Sequence, residues 1–125
     1  MGDSTVISDL NVLRVYSALA RHSAESQRVS ATNISRADEP GFKATEIESF
    51  QDYLTRTASS QATGTNIGEG FRTRTAQGGQ AKPNGNTVNM EEQVFKAAEA
   101  AGQHEMALRV YTKSMDLLRS ALGRR

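Results

Sequence analysis

Apolar and small residues recur at alternating spacings of four and three along the C-terminal part of this chain. The series contains Met90, Val94, Ala97, Ala101, His104, Leu108, Tyr111, Met115, Leu118 and Leu122, and only the histidine interrupts it. Such a heptad pattern is typical of a helix that buries one narrow stripe against another helix. Because the stripe carries no catalytic constellation, the pattern indicates assembly rather than chemistry.

A second long helix is predicted from about Thr5 to Arg36, where the sequence has neither glycine nor proline. Its seam repeats the four–three spacing and contains Val6, Leu10, Leu13, Ser17, Ala20, Ala24, Gln27, Ala31 and Ile34. The two helices are similar in length and lie at opposite ends of the chain, so an antiparallel pair is the economical arrangement. The expected fold class is therefore all-α, with two long N- and C-terminal helices in a coiled-coil pair and a largely irregular, extended connector.

The connector begins with a predicted turn. Glu39-Pro40-Gly41-Phe42 is expected to form a type II turn, because proline presets the first central position and glycine supplies positive φ at the second. A short helix is predicted near Glu46–Thr55. Residues 57–86 are rich in glycine, serine, threonine, glutamine and asparagine. They are expected to form an extended segment that orders against neighbours, with a short hairpin near residues 68–75.

The C-terminal helix has clear start signals. Asn89 is expected to cap it, with Glu92 three residues on as in a capping box. Glu92–Lys96 and Glu105–Arg109 are predicted ion pairs at i,i+4. The chain thus reads as one discontinuous helical domain: an N-terminal helix in residues 1–37, a turn and connector in residues 38–88, and a C-terminal helix in residues 89–125.

Composition excludes several classes of protein. The hydrophobic fraction of 37% and aromatic fraction of 6% are low for a thick core, and the formal charge of +1 offers no basis for nucleic-acid binding. Without cysteine there is neither a disulfide nor a thiolate metal site. The sequence lacks an apolar run of the length that direct membrane insertion requires, and its N-terminus lacks the features of a Sec signal peptide.

The two histidines do not indicate a catalytic or metal site. His22 precedes Ser23 and His104 precedes Glu105, but the sequence has neither a nucleophile elbow nor a zinc-binding H-E-x-x-H. A structural role is expected for both, with His104 contributing a polar layer to the seam. No enzyme activity, cofactor or metal is therefore predicted.

The glycine-rich and charged segments of the connector are also weak candidates for chemistry. The glycines near Gly68–Gly70 and Gly78-Gly79 lack the lysine and the preceding strand of a phosphate-binding loop. Arg72, Arg74 and Lys82 make a mildly basic loop, either a solvated face or a contact for an acidic patch on an assembly neighbour. The heptad seams likewise have two interpretations, the core of a simple helical hairpin or a surface for assembly.

Two segments resemble bacterial flagellar basal-body rod and hook proteins. Asn33-Ile34-Ser35-Arg36-Ala37-Asp38-Glu39-Pro40-Gly41-Phe42-Lys43 is similar to the family's N-terminal signature, a helix ending in an Asn-rich turn before Thr-Pro-Gly and an aromatic residue. Gly85-Asn86-Thr87-Val88-Asn89-Met90-Glu91-Glu92 resembles the start of the matching C-terminal helix, and Leu118–Leu122 resembles its end. The family's second Asn is Arg36 here, and its Thr before Pro is Glu39.

The resemblance implies a structural subunit that polymerises through its terminal helices. Its expected partners are further copies of itself, other flagellar rod proteins, the adaptor that joins rod to membrane ring, and the flagellar type III export apparatus. The implied location is the basal-body rod in the periplasmic space, reached without a cleaved signal peptide. The alternative from a different class is a soluble helical-hairpin adaptor or export chaperone.

Overall fold

The computed structural model describes residues 2–61 and 70–123. Within these residues the chain forms, in order, α1 (Gly2–Ser35), β1 (Thr45–Ile47), α2 (Phe50–Gln61), β2 (Thr73–Thr75) and α3 (Met90–Gly123). The predicted predominance of helix is confirmed, since α1 and α3 contain 34 residues each and pack against each other. At 1.5 Å per residue, each long helix extends about 50 Å.

The two long helices run antiparallel. Asn33, near the end of α1, hydrogen-bonds Gln93 in the first turns of α3. Leu13, in the first half of α1, lines the same groove as Tyr111 in the second half of α3. The connector therefore begins and ends at one end of the pair, which we call the junction end.

Local signals at the start of α3 are as the sequence predicts. The Oδ1 atom of Asn89 accepts a hydrogen bond of 3.1 Å from the backbone N–H of Glu92. The ion pairs Glu92–Lys96 (3.0 Å) and Glu105–Arg109 (2.7 Å) are both present. Their side chains are exposed, so each pair contributes only a few tenths of a kcal/mol to helix stability.

A two-stranded sheet corrects the expectation of an all-α fold. β1 pairs antiparallel with β2, with Thr45 opposite Thr75 and Ile47 opposite Thr73. The predicted hairpin near residues 68–75 is partly outside the described residues, and its described part, β2, pairs with the distant β1. Three-residue strands so far apart in sequence carry no local periodic signal, because long-range pairing alone defines them.

The predicted short helix exists but begins later. Glu46 belongs to β1, and α2 begins at Phe50 because the Ser49 hydroxyl accepts the backbone N–H of Asp52 at 3.1 Å. The connector predicted for residues 57–86 is thus helical through Gln61 and forms a strand at β2. Residues 62–69 of that connector lie outside the described part of the chain.

The sheet and α2 form a layer on one side of the helical pair. His22 of α1 is buried and donates its Nε2 hydrogen to the Glu48 carbonyl at 2.6 Å. Its ring centroid lies 5.6 Å from that of Phe50 and 5.1 Å from that of Phe71. Tyr53 completes this aromatic cluster and is fully buried. His22 therefore has the predicted structural role, attaching the layer to α1.

A partly buried ion pair joins α2 to the residue that follows β1, and a backbone hydrogen bond extends it to the residue that precedes β2. Arg56 contacts both carboxylate oxygens of Glu48, and the Arg72 backbone N–H donates to the same carboxylate at 3.0 Å. The hydrogen bond from Arg56 is the main cause that holds the pKa of Glu48 below its ordinary value of 4.5. The carboxylate is therefore bound in its ionised form at neutral pH.

Candidate assembly surface

The contact between α1 and α3 is made by small and polar side chains. On α3 the buried residues follow intervals of seven and are Gln93, Ala100, Ala107 and Ser114. On α1 the buried stripe follows spacings of seven and three and contains Leu13, Ala20, Ser23, Ser30 and Asn33. Small side chains allow two helix backbones to approach closely, so this contact is narrow.

Half of the predicted seam lies within or beside this contact. On α1, Leu13 and Ala20 are buried and Ile34 is half-buried. On α3 the half-buried members are Ala97, His104, Tyr111, Met115 and Leu118. His104 is thus only half-buried, whereas the heptad pattern predicts that it lies inside the contact.

The other half of the predicted seam is exposed and does not lie in the helix–helix contact. Its members are Leu10, Ala24 and Ala31 of α1 and Met90, Val94, Ala101, Leu108 and Leu122 of α3. On α3 the buried column is displaced by one residue, from Val94, Ala101 and Leu108 to Gln93, Ala100 and Ala107. In the sequence, the buried column of a heptad is assigned by hydrophobicity, whereas in the folded helix pair small side chains such as Ala100 and Ala107 occupy the contact.

The layer formed by the sheet and α2 explains the displacement. It occupies one side of α1 through His22 and Val29, and on the same side Lys96 and Gln103 of α3 line a groove with Ile47 of β1. The helices are therefore turned so that this side is covered. The exposed half of the seam lies on the opposite side.

We call this uncovered side the open face and define it by Leu10, Ala24 and Ala31 of α1 and Val94, Ala101, Leu108 and Leu122 of α3. The large members are 45–57% exposed. From Val94 to Leu122 the α3 column extends about 42 Å at 1.5 Å per residue. A column of exposed apolar residues of this length is a candidate interaction surface.

The junction end brings together the two segments that carry the flagellar resemblance. Gly41 has a φ of +76°, and the Phe42 N–H donates to the Glu39 carbonyl at 3.3 Å, which is the geometry of the predicted type II turn. The Gly41 N–H then donates to Asn84 at 2.9 Å. Phe42 packs on a small core that includes Val88. The turn therefore holds the start of the C-terminal segment.

Asn86 is the main polar link at this end. It is fully buried, and its amide nitrogen donates to the carbonyls of Arg36 at 2.9 Å and Glu39 at 2.8 Å. Its amide oxygen accepts the Val88 N–H at 2.8 Å. The Asn86 side chain thus hydrogen-bonds two carbonyls that follow the end of α1 and orients the segment that leads into α3.

Asn33 is a second buried link, in the last turn of α1. Its amide oxygen accepts the Thr45 N–H at 3.0 Å, and its amide nitrogen donates to the Thr45 carbonyl at 2.8 Å. The same nitrogen donates to Gln93 at 3.0 Å. Asn33 therefore replaces a neighbouring strand along the outer edge of β1 and joins α1, β1 and α3.

The two departures from the family signature lie side by side. Arg36 and Glu39 form an exposed ion pair with a separation of 3.9 Å, and the Arg36 guanidinium lies 5.5 Å from the Phe42 ring centroid. These contacts occur where the family has asparagine and threonine. The backbone of the turn is kept because neither substitution changes the residues that determine its φ angles.

Sequence reasoning missed Gln93, Ala100, Ala107 and Ser114, and it missed the roles of Asn86 and of the Glu48–Arg56 pair. The small residues Ala100, Ala107 and Ser114 recur at intervals of seven, and this spacing could have indicated the buried column beside the more hydrophobic series of Val94, Ala101 and Leu108. The long-range hydrogen bonds had no signal, because each partner is distant in sequence.

The side chains of His22 and Ser23 both make hydrogen bonds to backbone carbonyls. The Ser23 hydroxyl donates to the Leu19 carbonyl at 2.8 Å rather than serving His22. Within residues 2–61 and 70–123, no cluster of three or more potential metal ligands was found. No helix in the same residues is long and apolar enough to cross a membrane. Comparison with protein-family models and with curated proteins finds no match to this chain.

Proposed function

We propose that this protein is a structural subunit of the bacterial flagellar basal-body rod, most similar to the B-type proximal rod protein. The observation that carries the proposal is the open face, a heptad column of apolar side chains that α1 and α3 leave uncovered. Covering a Val or Leu side chain fully contributes about 1.5–3 kcal/mol before the entropy of association is subtracted. A subunit that polymerises through its terminal helices needs such a column.

The junction end supports the same proposal. The segments resembling the family's two signatures contact each other through Asn86, the Gly41 turn and the core around Val88. A rigid turn at this point sets the angle at which the connector leaves the helical pair. In a rod, that angle positions the connector layer against neighbouring subunits.

In this function the helices form a coiled-coil layer within the axial structure that transmits torque. The partners are further copies, other rod proteins and the adaptor between rod and membrane ring. Delivery is by the flagellar type III export apparatus.

The experiment compares basal bodies from strains carrying Leu108→Asp or the control Lys113→Asp. Leu108 lies on the open face, whereas Lys113 is exposed on another side of α3. We expect Leu108→Asp to abolish rods and motility while the purified monomer keeps its helicity, because the aspartate is solvated until assembly buries it. Lys113→Asp should assemble.

Absence of the wild-type chain from purified basal bodies, with normal motility after its deletion, would contradict the proposed function. Recovery of the chain in a soluble cytoplasmic complex with other exported flagellar proteins would favour the adaptor or chaperone instead.

A further inference from the structure

The outer edge of β2 is accessible from solvent. The Ala76 N–H donates to the Ala44 carbonyl at 2.8 Å, so this residue faces β1. Because backbone groups alternate in direction along an antiparallel strand, the N–H and C=O groups of Thr73 and Thr75 point away from β1. In the part of the chain that the structure describes, neither residue makes a further hydrogen bond, and all three residues of β2 are exposed. We call the outward backbone groups of Thr73 and Thr75 the free edge.

The outer edge of β1, in contrast, is occupied. The Asn33 side chain accepts the Thr45 N–H at 3.0 Å and donates to the Thr45 carbonyl at 2.8 Å. Further along the strand, Ile47 lines a groove with Ser30 of α1 and Gln93 of α3, so the helical pair lies beside this edge. The sheet is therefore closed at β1 and can accept a third strand only at the free edge.

The charged side chains of the sheet alternate in sign from one strand to the next. Glu46 of β1 lies opposite Arg74 of β2, and the two form an ion pair of 2.7 Å. The neighbouring Glu48 is bound by Arg56, so among the described residues the guanidinium of Arg72 has no ion-pair partner. Because opposite charges on adjacent strands stabilise a sheet, the strand that best continues this order beyond β2 is acidic.

One further acidic residue lies near these arginines. Asp52 lines an open hollow of about 530 Å³ over the sheet, together with Arg72 and Arg74. Among the described residues it forms no ion pair with either of them. Asp52 belongs to α2, which follows β1, whereas the two arginines belong to the segment that carries the free edge.

A second copy of this chain is a poor occupant of the free edge. Antiparallel pairing of two β2 strands would place Arg72 and Arg74 of one copy beside the same arginines of the other. Like charges on adjacent strands are destabilising, whereas an acidic strand would pair with both arginines.

We propose that the free edge binds an extended segment of another protein in which acidic side chains alternate with small or β-branched ones. The segment adds to the sheet as a third strand, and its backbone pairs with Thr73 and Thr75. Its acidic side chains lie on the same face as Arg72 and Arg74. The backbone hydrogen bonds supply affinity, and the arginines select the sequence. Because α1 and α3 take no part, this binding does not depend on assembly of a rod.

Two synthetic nonapeptides test the recognition, one of alternating threonine and glutamate and one of alternating threonine and lysine. Fluorescence anisotropy of the labelled peptides with the full-length chain at low salt measures their affinities. The threonine–glutamate peptide should bind about tenfold more tightly or better, because its carboxylates meet the arginines. Equal affinities, or no binding of either peptide, would overturn the proposal and leave Arg72 and Arg74 as charges that protect an exposed edge from aggregation.

Substitutions separate the backbone from the charge. Thr73→Pro removes an outward N–H without removing a hydrogen bond to β1, and should weaken binding of the threonine–glutamate peptide by about tenfold. Thr73→Val keeps the N–H and should bind as the wild type does. Arg72→Glu should reverse the preference between the peptides, whereas Lys113→Glu, at an exposed position of α3, should not. Wild-type binding by both Thr73→Pro and Arg72→Glu would contradict strand addition.

Amide hydrogen exchange of the wild-type chain distinguishes strand addition from simple charge attraction. In the free chain the N–H groups of Thr73 and Thr75 should exchange quickly and that of Ala76 slowly, since only the last is bonded to β1. Saturation with the threonine–glutamate peptide should slow exchange at Thr73 and Thr75. Peptide binding without this protection would overturn the proposal. Protection of both amides in the concentrated chain without peptide would identify a second copy as the occupant and would overturn it too.

Discussion

At the scale of single residues, the junction end depends on one amide and one glycine. Asn86 satisfies two carbonyls and one N–H with a single buried side chain. Gly41 adopts a φ of +76°, which residues other than glycine rarely adopt. Asn86 acts through hydrogen bonds and Gly41 through backbone conformation, so substitutions at the two positions test different contributions to the free energy of folding.

Asn86→Ala should lower the free energy of unfolding by about 2–4 kcal/mol, because the carbonyls of Arg36 and Glu39 each lose one of two hydrogen bonds and the buried N–H of Val88 loses its partner. Urea denaturation measures the change. The matched control is Asn11→Ala on the exposed side of α1, which should be neutral or slightly stabilising because alanine favours helix. An unchanged midpoint for Asn86→Ala would contradict the assigned hydrogen bonds.

Gly41→Ala and Gly102→Ala should have opposite effects. At Gly41 an added Cβ meets no atom within 4 Å, so the expected loss of about 1–2 kcal/mol is purely conformational. At Gly102, in the middle of α3, the added Cβ also meets no atom within 4 Å, and the gain should be about 0.5–1 kcal/mol. Thermal unfolding distinguishes them, and a stabilising Gly41→Ala would exclude the turn described above.

At the scale of secondary-structure elements, the register of the α1–α3 contact is the central observation. Ala100 is 3% exposed, whereas its neighbour Ala101 is on the open face. Ala100→Leu should destabilise the monomer by about 1–3 kcal/mol through overpacking. Ala101→Leu should change its stability by no more than about 0.5 kcal/mol. Equal effects in chemical denaturation would mean that the contact is not displaced as described.

The layer formed by the sheet and α2 should be acid-sensitive. Folding lowers the pKa of Glu48 below 4.5 because Arg56 hydrogen-bonds its carboxylate, so the unfolded chain binds the proton more readily. The contribution is complete above about pH 4.5 and is lost as pH falls through the lower folded value. Glu48→Gln should flatten this part of the pH–stability curve, whereas Glu99→Gln, an exposed control, should leave it unchanged.

At the scale of the whole molecule, stabilising contacts are concentrated at the junction end. There α1 and α3 are joined to each other, to the sheet and to α2, whereas towards the other end Leu10 and Leu117 remain exposed. Amide hydrogen exchange of dilute protein should therefore be slowest near Asn33 and Gln93 and fastest near residues 7–12 and 112–123. Self-association should slow exchange at the far end. Uniform protection in the dilute chain would contradict this gradient.

Much of the fold follows from local patterns, as particular elements illustrate. The absence of glycine and proline predicts α1, Asn89 and Glu92 predict the start of α3, and Pro40-Gly41 predicts the turn. Each signal acts within a few residues and therefore survives any tertiary arrangement. The β1–β2 pairing and the Asn33–Gln93 hydrogen bond have no such signal, because both depend on which distant segments meet.

For the candidate surface, the sequence by itself determined that each terminal helix carries a heptad column of apolar residues, since side-chain spacing follows from helix geometry alone. Only the tertiary structure decided which side of that column faces the partner helix. The aromatic layer around His22 covers one side of the pair, and the small column of Ala100 and Ala107 permits the closest backbone approach. Rotation of a helix about its axis is a property of packing, so the exposure of Val94 and Leu108 could not be obtained from spacing.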